Sequence, residues 1–163
     1  VKKTYNIDLS TKGIKELQDG LKEYKKWLKE KTDELCKRLA DMGAVKASLY
    51  FSRAIYTGPE DHEISVVPKD GGYAVRADGE TVLFVEFGTG LIGYGHPESS
   101  GLGPGTFPGK GHWSDPNGWW LPREKNNGHS QHTYGNPPNA PMYNTVKELE
   151  MELARVVKEV FAL

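Results

Sequence analysis

The sequence has a single cysteine, Cys36, in 163 residues. One thiol excludes an internal disulfide and fits a reducing compartment. Cys36 has no histidine near it in the sequence, so a thiol-nucleophile enzyme has no support. Positive charge is not in excess either, with 21 lysines and arginines against 22 aspartates and glutamates. That balance argues against a general nucleic-acid binder and leaves only a local basic patch open. No apolar run is long enough to span a bilayer and no signal-peptide pattern opens the chain, so no membrane partner is expected. There is no repeat of fixed period. Gly88-Thr-Gly90 and Gly101-Leu-Gly-Pro-Gly105 lack the lysine and the glycine spacing that cradle a phosphate.

What is present suits one domain with a real core over residues 1–163. Tyr5, Ile7 and Leu9 alternate, which predicts a half-buried strand over residues 4–9. Ser10 or Thr11 can cap a helix that starts directly after the strand. Ile14, Leu17, Leu21, Tyr24, Leu28, Leu35, Leu39 and Met42 recur at gaps of three, four and seven, the pattern of one face of a long helix, with Lys31 breaking the stripe. The charges on its other faces read as a solvated surface. Gly43 is expected to interrupt this helix, and residues 44–55 read as a short second helix, with a strand as the alternative. Residues 63–67 and 72–77 are strand-like, and Asp70-Gly-Gly72 between them predicts an antiparallel hairpin. After the proline-rich stretch 137–141 comes a last helix, striped by Met142, Val146, Leu149, Leu153, Val156 and Val160. The stripes predict that both long helices cover one face of the sheet, with Leu21 and Leu153 inside. The expected fold is α+β: a long N-terminal helix and a C-terminal helix on a small, mainly antiparallel sheet, with a long Gly/Pro/Trp-rich loop.

The chain changes character across Val82-Leu-Phe-Val-Glu-Phe-Gly-Thr-Gly90. Residues 81–87 read as a short buried helix closed by Gly88, with a strand as the near alternative. Glu86 is the one charge in this apolar run. It is either a structural carboxylate held by backbone N–H groups or an arginine, or a catalytic acid or base, or an intersubunit contact. Residues 88–139 then hold twelve of the 19 glycines, three of the four tryptophans and four of the five histidines. Tyr94, Phe107, Trp113, Trp119, Trp120 and Tyr134 make this loop too aromatic to stay in water. Its glycine and proline density excludes a regular element within it, so its order must come from a surface outside. His129 and His132 are three apart, a spacing that suits one metal on a helical turn, but no second Cys/His pair matches them, and no metal or cofactor is assigned. Trp119, Trp120 and Tyr134 could also stack on a sugar ring.

Two motifs carry a family resemblance. One is Ala77-Asp-Gly-Glu-Thr-Val-Leu-Phe-Val-Glu-Phe-Gly-Thr-Gly90; the other is Gly135-Asn-Pro-Pro-Asn-Ala-Pro-Met-Tyr-Asn-Thr145, with a Gly/Trp-rich insertion between them. With this order of elements, the chain resembles the tail-completion (tail-component, or minor capsid) proteins of long-tailed bacteriophages and prophages. The resemblance covers most of the chain and departs from the family's pattern in the length of residues 88–139. It implies a non-enzymatic structural protein of the neck, made in the bacterial host cytoplasm and located in the virion. It implies assembly with copies of itself into a ring, favoured as a hexamer, at the head-proximal end of the tail. The ring would join the tail-tube protein to a head-side connector or stopper protein, and genomic DNA would pass through it without sequence-specific binding. No catalytic residue, metal or cofactor is implied. On this reading Glu86, Trp113, Trp119, Trp120 and Tyr134 are the candidate intersubunit or partner contacts. A carbohydrate-binding module using the loop tryptophans is the alternative.

Overall fold

The computed structural model describes residues 10–56, 61–90, 92, 115, 117–121 and 128–161. The expected strand over residues 4–9 lies outside them. The first element, α1 (Thr11–Ser52), has 42 residues and is therefore about 63 Å long. The Ser10 side chain caps it by accepting the Gly13 N–H at 3.1 Å. Ion pairs one turn apart, such as Lys12–Glu16 at 3.9 Å and Lys37–Asp41 at 3.8 Å, line its outer faces. Each contributes only a few tenths of a kcal/mol, ~0.3–0.5.

The expected break at Gly43 does not occur: α1 runs through it and absorbs residues 44–52. Gly43 is buried. A Cβ there would stand 2.9 Å from Val75 Cγ2 and 3.1 Å from Leu149 Cδ1. The glycine is present because two other elements press on the helix at that point, and tertiary packing overrides its weak helix propensity. Ala40, Gly43, Ala47 and Phe51 are the buried positions of α1, and the small ones let neighbours approach closely.

The hairpin is as predicted. β1 (Glu63–Lys69) and β2 (Gly72–Asp78) pair antiparallel from Glu63↔Asp78 to Lys69↔Gly72. The short buried helix also forms, as α2 (Val82–Phe87), closed by Gly88 at φ 76°. Its Val82 and Val85 pack with Phe51 in the buried cluster, edged by Tyr56, Ile64, Ala77 and Met142. Two further pairs of short strands, β3 (Thr89–Gly90) with β6 (Gly135–Asn136) and β4 (Trp119–Leu121) with β5 (Gln131–Thr133), lie within residues 88–139. This corrects the expectation that the segment holds no regular element. Strand pairing needs only a few residues free of proline on each side, and 119–121 and 131–133 supply them.

The last helix, α3 (Pro141–Phe161), runs antiparallel to the C-terminal part of α1. Met142 packs at the Phe51 cluster, Glu148 meets Lys46 and Tyr50, Glu159 meets Arg38, and Phe161 meets Trp27 edge-on at 5.9 Å. The Lys46 and Tyr50 hydrogen bonds, in that order, hold the Glu148 carboxyl below the usual glutamate range. The buried line of α3 is Pro141, Thr145, Val156 and Val160. The predicted stripe holds at Val156 and Val160 and fails at two positions before them: Val146 is 50% and Leu153 43% exposed. The polar Thr145 takes a core place because its hydroxyl donates to the Pro141 carbonyl at 2.8 Å. Leu21 on α1 is also half exposed. It lies beyond the level at which α3 ends against Trp27.

Candidate functional site

The two motifs behind the resemblance are separated by more than 40 residues in the sequence and meet in space. Thr89 pairs with Asn136 and Gly90 with Gly135. A side chain at Gly135 would collide with the Thr89 carbonyl, and one at Gly90 with the Tyr134 carbonyl, so the strands close at this distance only with glycine. The Asn139 N–H donates to the Val85 carbonyl at 3.0 Å and the Ala140 N–H to the Glu86 carbonyl at 3.1 Å. Asn139 also ties in the end of α1. Its Oδ1 accepts the Ile55 N–H at 2.7 Å, and its Nδ2 donates to the Ile55 carbonyl at 3.1 Å.

Glu86 sits at the centre of this junction and is buried. Its two carboxylate oxygens accept the N–H groups of Met142, at 2.8 Å, and Tyr143, at 3.1 Å. These are first-turn donors of α3 that have no partner within their own helix. A negative charge there also meets the positive end of the helix dipole. The geometry is that of the structural carboxylate among the readings of Glu86. At the proline-rich start of α3, Glu86 from α2 supplies a capping carboxylate. Asp61 anchors the residues that lead into α2, accepting the N–H groups of Glu80 at 2.7 Å and Thr81 at 3.1 Å and the Thr81 hydroxyl. Partial burial pushes the Asp61 carboxyl up, but the Thr81 hydroxyl and the two N–H donors outweigh it and leave it below the ordinary aspartate range. Burial, reinforced by the Asp61 charge, pushes the neighbouring Tyr56 hydroxyl up to about 12.

The insertion leaves this junction and presents aromatic rings. Trp119 turns inward: a Cβ on Gly90 would lie 2.8 Å from its Cη2. This corrects the expectation that the loop's rings depend wholly on an outside surface. Trp120 turns outward and is 65% exposed. Its register partner across β4–β5 is His132, and Tyr134, two residues on, is 52% exposed. The three rings form a row, with Trp120–His132 centroids 5.2 Å apart and His132–Tyr134 centroids 5.0 Å apart, both edge-to-face. Trp113 lies outside the described residues. The structure thus brings Trp120 and Tyr134 together on one face and leaves Glu86 inside, at α3.

His132 is the member of this face that the sequence did not assign to it. Its spacing from His129 drew attention to metal binding, whereas its ring belongs to the aromatic row. Among the described residues no group of three or more His, Cys, Asp or Glu side chains is placed to hold a metal. Alternation of Trp120 against His132 and Tyr134 could have revealed the face, but only once the pairing of β4 with β5 was known. No family model matches the chain, and no curated protein or solved structure matches it. Among the described residues no helix is long and apolar enough to cross a membrane.

A second surface lies farther back along α1. α1 and the β1–β2 turn enclose a groove of about 670 Å³, with Leu28 and Cys36 on the helix side and Pro68 and Tyr73 on the hairpin side. Three exposed lysines, Lys25, Lys29 and Lys69, line it as well.

Proposed function

We propose that this chain is a non-enzymatic structural subunit of the neck of a long-tailed bacteriophage. Copies assemble into a ring, with six as the favoured number, at the head-proximal end of the tail. The ring joins tail tube to head-side connector or stopper, and DNA passes through it. The observation that carries the reading is the junction. The two motifs that give the resemblance are one bonded unit through Glu86, Asn139 and the β3–β6 pair, and the segment between them carries an outward row of aromatic rings. A self-assembling subunit gives such rings a protein surface to cover them. Electron microscopy of the purified chain, with light scattering over a range of concentrations, tests this. Rings with a central opening are expected, and a monomer at every concentration rejects the reading.

A carbohydrate-binding module is the second reading, favoured by the 65% exposure of Trp120. Glycan binding by the monomer, lost in Trp120→Ala without any change in assembly, would establish it in place of the first.

A further inference from the structure

We propose that the aromatic face of one copy docks into the groove between α1 and the β1–β2 turn of the next copy, with Trp120 and Tyr134 entering it. This rests on the ring reading and adds the surface that receives the rings. Three properties of the groove match that occupant.

The first is chemistry. Leu28, Pro68 and the ring of Tyr73 give the groove apolar walls, and Leu28 is 41% exposed. Lys25, Lys29 and Lys69 bring three cations, against one lining carboxylate among the described residues, Asp33, which accepts the Tyr73 hydroxyl at 3.4 Å. Aromatic rings satisfy both parts at once, because their bodies bury against the walls and their π faces attract ammonium groups. An acidic segment would satisfy the lysines and leave the walls bare.

The second is position. The aromatic face is anchored beside α2 through Gly90, and α2 packs on Phe51 near the end of α1. The groove's α1 residues lie about 20–40 Å back along the same helix. Trp120 and Tyr134 therefore do not enter the groove of their own copy. The contact runs from the front of one copy to the back of the next, the heterologous kind that closes into rings or extends into filaments.

The third is area. Two large rings bury about 300–500 Å², and a stable interface takes about 800 Å² per partner. Leu21 and Ile14, seven and fourteen residues before Leu28 on the same helix face, are 50% and 45% exposed. They continue the apolar surface beyond the groove and supply the remainder.

Cys36, the only cysteine of the chain, lines the groove and gives the test. Tyr134→Cys, at an exposed position, places a second thiol on the aromatic face while Trp120 stays. On mild oxidation with copper–phenanthroline the assembled variant is expected to give a ladder of dimers, trimers and larger species on a non-reducing gel. Peptide mapping should find Cys36 joined to the introduced thiol of another copy. In parallel, Lys25→Glu/Lys29→Glu, at exposed positions, should weaken self-association of the otherwise unmodified chain about ten-fold, the equivalent of losing two cation–π contacts. If the parent assembles but the variant yields only dimers through two introduced thiols, or no cross-link, the groove is not the receiver, although the ring reading stands. If the parent remains monomeric throughout, both fall.

Discussion

The two parts of α1 share one helical period and have opposite environments. From Ala40 onward every third or fourth residue is buried, through Gly43 and Ala47 to Phe51. Before Ala40 no residue of the helix is buried, although Ile14, Leu21 and Leu28 repeat every seven residues. The buried part is built from the small side chains of Ala40, Gly43 and Ala47, with Phe51 at its end, and the exposed part from large ones. Small residues allow α3 and β2 to approach the helix axis and pack closely against it. Large residues at heptad spacing suit a partner that arrives from outside. Periodicity identifies a face, and side-chain size indicates how near its neighbour comes.

The largest expected effect comes from placing a charge in the buried part. Ala47 is fully buried, so Ala47→Asp should cost about 3–5 kcal/mol and leave little folded protein in a thermal melt. Glu86→Gln comes next. The amide keeps one acceptor for the first turn of α3 but loses the charge that meets the helix dipole, so a loss of about 1–3 kcal/mol is expected in urea unfolding. An unchanged midpoint would show that the carboxylate does not support α3. Gly43→Ala ranks third, with a net loss of about 1–2 kcal/mol, because crowding against Val75 and Leu149 outweighs the helix propensity gained. A more stable variant would mean that the junction of α1, β2 and α3 has slack.

Tyr56 tests the core through pH. Its folded-state value is raised to about 12 from 10, so burial favours the neutral phenol. The associated stability is complete below pH 10 and is lost as the pH rises from there to about 12. Stability measured across that window should fall in the parent and fall less in Tyr56→Phe; equal slopes would reject the assignment. Smallest of all, Leu21→Asp should change the melting of the monomer by no more than about 0.5 kcal/mol. A loss comparable to that of Ala47→Asp would erase the distinction between the two parts of the helix.

Much of the architecture was legible because it is written in local signals. The Asp70-Gly71-Gly72 turn, the apolar run closed by Gly88 and the proline before α3 each specify their element within a few residues. Gly43 misleads for the same reason. Locally it is a helix breaker, and only the approach of Val75 and Leu149, from segments remote in the sequence, explains it. The start of the α3 stripe is misplaced for a similar reason: Thr145 looks polar until its hydroxyl is paired with Pro141. At the candidate site, composition shows that the loop is rich in aromatic rings but not which of them are exposed. Their division into Trp119 inside and Trp120 outside depended on the register of β4 with β5. The partner of Glu86 depended on two motifs meeting across the whole insertion.

The Gly90–Gly135 pair has a consequence for how this molecule can change over generations. Their Cα atoms face each other about 5 Å apart, so the intervening chain departs from the body and returns to it at one point. Closing a longer chain between such fixed ends costs only about 0.6 kcal/mol per doubling of length. The insertion therefore behaves as a replaceable cassette. Its length can change at little cost, while the helices, the hairpin and the capping of α3 by Glu86 stay as they are.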